Sequence, residues 1–369
     1  MKRKVAILTT HRANNFGAML QAYSLVMACR EFGADAEILD WRCPFFEWLY
    51  HRAWRIYRNP IPAIKHLLWY IGAERESRKL FNCFRSRFPI SRPIFRQEEL
   101  RGVNGEYDVF IAGSDQIWNP LNSAINPKDC DRTYLLDFVK SRKKYAYAAS
   151  IGKKELSPPE LVAEFVELWK SFDRITMREV AGSDYVGRCL NRKIETVVDP
   201  VLLHGYEYWR KVAVPKDTNG KYVLMYNIRR SSLLQMLAYR VAKERGLRVI
   251  DLLVPGQGED GGAGKSKFAA GPSEFLYLID GAECVFTGSF HASAFSLIFG
   301  KKLYVQFPLT RENTNSRMET LFSWAMLTGQ NIVEDDCSRV IFYDCSKKND
   351  EVLNNEIYRS RRVLSEMVC

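Results

Sequence analysis

The feature that most restricts the fold is the stretch from Cys284 to Pro308, CVFTGSFHASAFSLIFGKKLYVQFP. Its opening, Cys284-Val285-Phe286, is a short apolar run of the kind that forms a buried strand. Thr287-Gly288-Ser289 turns the chain. Ala294, Leu297 and Ile298 mark the apolar side of a helix that Gly300 stops, and Leu303 to Phe307 is the next strand. In open α/β sheets built from such units, ligands sit beyond the carboxyl ends of the strands. His291 stands at that junction. The first turn of the helix offers free N–H groups and the positive end of its dipole to an anion, and an imidazole there can move a proton near neutral pH.

The same alternation runs through the rest of the chain. Lys4–Thr9 is strand one, the turn His11–Gly17 is polar, and Ala18 to Phe32 reads as a helix stopped by Gly33. Tyr107–Ala112 is a strand ending at Gly113-Ser114-Asp115-Gln116. Lys144–Ser150, Asp173–Met177 and Thr196–Asp199 follow as strands, with a helix opening at Pro158 and Pro159. Tyr206–Gly220 is turn-rich and is read as a connection. A second series begins with Tyr222–Tyr226, the helix Ser232–Arg245 and the strand Arg248–Leu253. The expected architecture is α/β: two Rossmann-like, doubly wound domains facing a cleft, similar to the GT-B arrangement. Residues 1–205 make the first domain and 206–345 the second. A helix in 346–369 packs back on the first. At 369 residues the chain exceeds a single simple core. The carboxyl ends of the strands Lys4–Thr9 and Tyr107–Ala112 nominate Asn14, Asn15, Gly17 and Gln21, and Gly113, Ser114, Asp115 and Gln116, as acceptor or donor loops. Turn chemistry accounts equally well for the asparagines, and a helix cap for Ser114.

Several chemistries are excluded. Nine cysteines lie singly along the chain with no CxxC pair, which argues against a disulfide framework and against a zinc site. The first turn lacks GxGxxG, and Gly264-Lys265-Ser266 lacks the upstream glycine of a phosphate loop, because position 259 is Glu259. Pro255 to Gly271 holds six glycines and reads as a surface loop or lid. No apolar run approaches the roughly 20 residues of a membrane span. The basic N-terminus carries only Val5–Leu8 as an apolar core, so it reads as a strand of a cytoplasmic protein instead of a signal peptide.

The formal net charge is +11, and most of it sits in one place. Residues 42–101 contain thirteen Lys or Arg against five Asp or Glu, a net +8, interleaved with Trp, Tyr and Phe. Pro60 and Pro62 divide the segment. Short basic aromatic helices suit an anionic membrane surface. They also suit stacking on nucleic acid, but no nucleic-acid motif accompanies them, and none is expected as a partner. The plainer reading is an insertion packed on its own domain with a solvated basic face.

TGSFHASAFSLIFGKK resembles the signature of the polysaccharide pyruvyl transferase family. NNFGAMLQAYSL at 14–25, YDVFIAGSDQIWNP at 107–120, ITMRE at 175–179, VVDPVLL at 197–203 and NTNSRMETL at 313–321 fall in that family's order. The resemblance implies transfer of a pyruvyl group from phosphoenolpyruvate to two hydroxyls of a sugar. The product is a cyclic ketal on a capsule or exopolysaccharide precursor, and phosphate is released without a metal or cofactor. It implies His291 as the proton-transfer residue and Arg178 as the grip on the donor, beside Gly288 and Ser289. Some members carry an arginine where this chain has Ser289. Arg317 is the compensating candidate, because a dianionic phosphate needs more than one cation; Lys301 and Lys302 are weaker ones. With residues 42–101 docked on the inner face of the membrane, a polyprenyl-linked acceptor is expected there. The competing functions are a nucleotide-sugar glycosyltransferase on the same plan and an inactive membrane-associated scaffold.

Overall fold

The computed structural model describes residues 2–47, 74–120, 132–252, 268–309 and 315–369. Apolar runs such as VAIL in β1 (Lys4–Leu8) and VFIA in β4 (Val109–Asp115) are buried on both faces, as parallel strands between helices must be. They form the middle of a seven-stranded parallel sheet in the order β3-β2-β1-β4-β5-β6-β7. The remaining strands are β2 (Asp35–Trp41), β3 (Ile90–Ile94), β5 (Lys143–Ala149), β6 (Arg174–Met177) and β7 (Glu195–Thr196). The strand order reverses between β1 and β4, which opens a crevice at their carboxyl ends.

The second sheet has six strands in the order β12-β13-β11-β10-β8-β9. Its parallel part comprises β8 (Tyr222–Tyr226), β9 (Arg248–Asp251), β10 (Cys284–Thr287) and β11 (Lys302–Pro308). Here the crevice lies between β8 and β10. At one edge β12 (Gln330–Glu334) and β13 (Ser338–Asp344) add as an antiparallel hairpin. Only the tight Asp335–Ser338 turn joins them, and a connection that short forces antiparallel pairing.

The stretch read as a bare connection opens with a helix, Tyr206–Val212. Trp209 on it is fully buried, donates from Nε1 to the Val201 carbonyl at 2.9 Å, and packs edge-on to Phe295. The two sheets also share a core. Phe16 stacks on Phe275 with ring centroids 4.5 Å apart and lies 5.1 Å from Phe81 and 5.3 Å from Tyr226. The helix Asp350–Val368 returns to the first sheet, where Ser360 Oγ accepts from the Val198 amide at 3.0 Å and Arg174 pairs with Glu366 at 2.8 Å.

Most of the described aromatics of the basic segment are interior. Trp41, just before it, and Phe46, Phe81, Phe84 and Phe88 within it are buried, whereas Phe95 is 63% exposed under the Arg42 guanidinium. Trp48, Tyr50, Trp54, Tyr57, Trp69 and Tyr70 lie outside the described residues, as do Arg52, Arg55 and Arg58 and most of the glycine-rich stretch from Pro255. Among the described residues no helix is long and apolar enough to cross a membrane, and no cluster of three His, Cys, Asp or Glu is arranged to hold a metal.

Candidate active site

His291 is fixed by the turn that precedes it. Thr287 Oγ1 donates to the Tyr226 carbonyl at 2.9 Å and accepts from the Ser289 amide at 3.0 Å, tying the end of β10 to the end of β8. Ser289 is the N-cap of the helix Phe290–Ile298, its Oγ accepting from the Ala292 amide. His291 therefore sits in the first helical turn, only 6% exposed.

Its Nε2 lies 3.4 Å from Asp199 Oδ2, within ion-pair reach but without the alignment of a hydrogen bond. Asp199 is wholly buried. Its Oδ1 accepts from the Val201 amide at 3.1 Å and its Oδ2 accepts from Arg178 Nη1 at 2.8 Å. Burial alone would raise the Asp199 pKa. The neighbouring His291 and Arg178 outweigh it and hold the carboxyl well below the usual range, so it is a carboxylate at neutral pH.

Arg178 bridges two acids. Nη2 reaches Asp115 Oδ1 at 3.2 Å while Nη1 holds Asp199, and the guanidinium lies 4.6 Å from the Phe290 ring centroid. Burial opposes its charge, but Asp199, Asp115 and Glu179 raise its pKa above the ordinary value. At 1% exposure it stands behind the cavity wall. Direct contact with a donor, the role implied by resemblance, is not what this geometry provides. Next in sequence, Glu179 is also buried, and burial raises its pKa despite Arg178 and Arg317. One of its oxygens accepts from Ser150 Oγ at 2.9 Å, and the other has no hydrogen-bond partner among the described residues. The two carboxyls are thus pushed in opposite directions, Asp199 down by His291 and Arg178 and Glu179 up by burial.

A cavity of about 370 Å³ opens where the two crevices meet. Thr10, Asn15, Asp115 and Gln116 line it from the first sheet, and Arg229, Gly288, Ser289, His291 and Arg317 from the second. Arg317 lies in the first turn of the helix Ser316–Trp324. With the Gln116 amide oxygen turned towards it, Nη1 and Nη2 donate at 2.5 and 2.8 Å. Burial, with Arg178 adding repulsion, lowers the Arg317 pKa to about 10, which leaves it cationic at neutral pH.

The remaining sequence candidates stand outside the lining. Asn14 is buried and its Oδ1 accepts from Arg85 Nη2 at 2.9 Å. Gln21 donates to Thr9 Oγ1 at 2.8 Å and accepts from the Ser114 amide at 3.1 Å. Ser114 is in β4, with Oγ donating to the Ala148 carbonyl at 2.7 Å, so it caps no helix. Gly113 has φ +137°, and a Cβ there would stand 2.1 Å from the Tyr147 carbonyl oxygen. These four make the floor beneath the loops. Gly17 touches the site through the space it leaves, since a Cβ would lie 2.0 Å from His291 Nδ1.

Sequence reasoning left Asp199, Arg229 and Thr10 without a role. Asp199 had a signal, a carboxylate at a strand end directly before a proline. Nothing in the spacing shows that it faces a histidine of the other half.

Comparisons with known proteins agree with the sequence motifs. No curated protein sequence matches the chain. Among solved structures, a UDP-GlcNAc 2-epimerase of Methanocaldococcus jannaschii in complex with UDP-GlcNAc and UDP is 12% identical, with 82% of this chain and 83% of that one covered at a TM-score of 0.42. The MnaA–UDP structure from S. aureus is 12% identical, covering 82% and 79% at a TM-score of 0.46. At these scores the likeness is loose. The model of one family, by contrast, matches residues 15–305 and so spans all three of the strand-end loops that carry Asp115, Arg178 and His291. The chain belongs to the polysaccharide pyruvyl transferase family.

Proposed function

We propose that the protein transfers the pyruvyl group of phosphoenolpyruvate to two hydroxyls of one sugar, forming a cyclic ketal and releasing phosphate. The observation that carries this reading is the His291–Asp199 pair beside Arg317 and Arg229 at one cavity, with a helix N-terminus between them. The donor brings a carboxylate and a phosphate, and two arginines with helix N–H groups suit both. Chemically, a sugar hydroxyl oxygen bonds to C2 of the enol phosphate while the C3 methylene takes a proton. The C2–O bond to phosphate then breaks, and the second hydroxyl closes the ketal with loss of its own proton. His291, its Nε2 3.4 Å from the Asp199 carboxylate, is suited to deliver the proton to C3. Asp115 presents a carboxylate to the same cavity and is suited to accept a hydroxyl hydrogen.

The test is phosphate release from phosphoenolpyruvate with a panel of lipid-linked and aryl glycosides, with mass spectrometry for a pyruvyl adduct. UDP-sugars serve as the competing donors. A glycosyl adduct in place of a pyruvyl adduct would overturn the reading. Arg317→Ala should raise the KM for phosphoenolpyruvate about 10- to 100-fold, the effect of losing a charge-assisted contact of about 1.5–3 kcal/mol. Unchanged donor binding would remove Arg317 from the phosphate site.

In this reading the acceptor is polyprenyl-linked and is met at the inner face of the membrane. The net +8 of residues 42–101 supplies the attraction, at about 1 kcal/mol for each basic residue near an anionic surface. Flotation with anionic liposomes at low salt should carry the protein, and salt should release it. The Arg52→Glu, Arg55→Glu, Arg58→Glu variant should stay in solution yet act on a short soluble acceptor. A wild type that ignores anionic liposomes would limit the segment to an internal role.

A further inference from the structure

The loop of residues 9–15 supplies Thr10, Ala13 and Asn15 to the cavity, yet it has little regular structure of its own. Three side chains tie it to the rest of the fold, His11 and Arg12 from the loop itself and one from outside it. His11 directs Nε2 at Asp40 Oδ1 over 3.0 Å, and Arg12 donates to Glu47 Oε1 at 2.7 Å. The third is Arg85, at the end of the helix Arg75–Arg85.

Arg85 differs from the other two. It is 7% exposed, and among the described residues no carboxylate lies within ion-pair reach of it. Its fork is spent on neutral acceptors: Nε donates to the His11 carbonyl at 3.3 Å, Nη2 to Asn14 Oδ1 at 2.9 Å, and Nη1 to Asn82 Oδ1 of its own helix at 2.6 Å. Nη2 also lies 3.7 Å from Met19 Sδ, so two of its four contacts are to the loop. Burying a guanidinium with no carboxylate in contact is costly, and the more distant Asp40 and Glu47 offset the burial only in part. Stability alone is therefore a poor reason for its presence. A planar fork fixes two points of a loop at once, which a lysine ammonium cannot do.

We propose that Arg85 is a positioning residue of the cavity: its guanidinium holds the His11 carbonyl and the Asn14 side chain, and so sets Thr10, Ala13 and Asn15 at the cavity wall. This gives the basic segment a task inside the enzyme. The kinetic part of the inference rests on the pyruvyl-transfer reading; the structural part does not.

The experiment compares wild type with Arg85→Lys, Arg85→Gln and, from the loop side, Asn14→Ala. Arg87→Gln is the control, since Arg87 bonds Ser273 and not the loop. Hydrogen–deuterium exchange is followed in residues 9–15 and in the helix Ser232–Glu244, and kcat and KM are measured in parallel. In the three loop variants, exchange in 9–15 should rise about 10-fold or more while the reference helix is unchanged. kcat should fall about 10- to 100-fold with a smaller change in KM, because a misplacement of about 1 Å is costly to the reacting geometry. The control should match wild type. Unchanged exchange in 9–15 overturns the proposal, and so does full kcat in Arg85→Lys. A rise spread over the whole chain also overturns it, because Arg85 would then act on global stability. A wild type inactive with every acceptor defeats the pyruvyl-transfer reading instead, and the exchange arm still decides the role of Arg85.

Discussion

His291→Ala should lose about 10²–10⁴-fold in kcat while keeping the fold, the usual cost of removing a positioned acid or base. Little in the packing opposes the change. The side chain is in the first turn of a capped helix, Ser289 keeps its cap, and Ala292 and Ala294 go on packing in the core. The partner substitution, Asp199→Asn, should be more damaging to the fold. It removes a carboxylate that pairs with Arg178 at 2.8 Å and leaves a buried guanidinium with Asp115 alone. Breaking one side of a buried pair typically costs about 3–5 kcal/mol. The folded pKa of Asp199 is depressed. Its contribution to stability is therefore present above the unfolded value, near about 3.9, and is lost only as pH falls through the lower folded value. Thermal melts from pH 7 downwards should show wild type and Asp199→Asn converging only in strong acid. Turnover by His291→Ala within a few-fold of wild type would exclude His291 from proton transfer.

The sequence was informative wherever one dimension carries the physics. Strand and helix periods place β1, β4, β8 and β10, and the rule that ligands gather at carboxyl ends of strands points to the loops holding Asn15, Asp115, Gln116, Gly288 and Ser289. What stayed hidden depends on the third dimension. Arg178 looks like a cation at a strand end, and only its burial between Asp115 and Asp199 shows that its charge is already paired. Arg229, one wall of the cavity, has no motif around it. The aromatics Phe81, Phe84 and Phe88 alternate with arginines as an interfacial helix would, but the helix and the turn after it bring those rings inward onto Phe16 and Tyr23. Composition reports which residues are near one another in the chain, not which side of the helix meets the core. Ser289 as a helix cap gives the helix a clean start, while Arg229 and Arg317 bring charge from other elements.

Gly17→Ala should cost activity through a residue from the other half of the molecule. Gly17 lies in the first turn of the helix Phe16–Glu31, where alanine is normally the better helix former by roughly 1 kcal/mol. Local propensity thus favours the substitution. The neighbour forbids it, because an added Cβ would stand 2.0 Å from His291 Nδ1, 2.3 Å from Cγ and 2.7 Å from Cβ. The ring must swing aside, and with it goes the 3.4 Å approach of Nε2 to Asp199. kcat should fall about 10²-fold or more, with overpacking destabilising the protein by about 1–3 kcal/mol. A double-mutant cycle separates this clash from damage to the helix. His291→Gly clears all three contacting atoms, whereas His291→Ala leaves the 2.7 Å contact with Cβ. In the His291→Gly background, Gly17→Ala should become neutral or stabilising, giving a coupling of about 1–3 kcal/mol measured by denaturant unfolding. Purely additive effects would mean that Gly17 serves the helix alone. A reversal of sign would show that the glycine is there to make room for the imidazole.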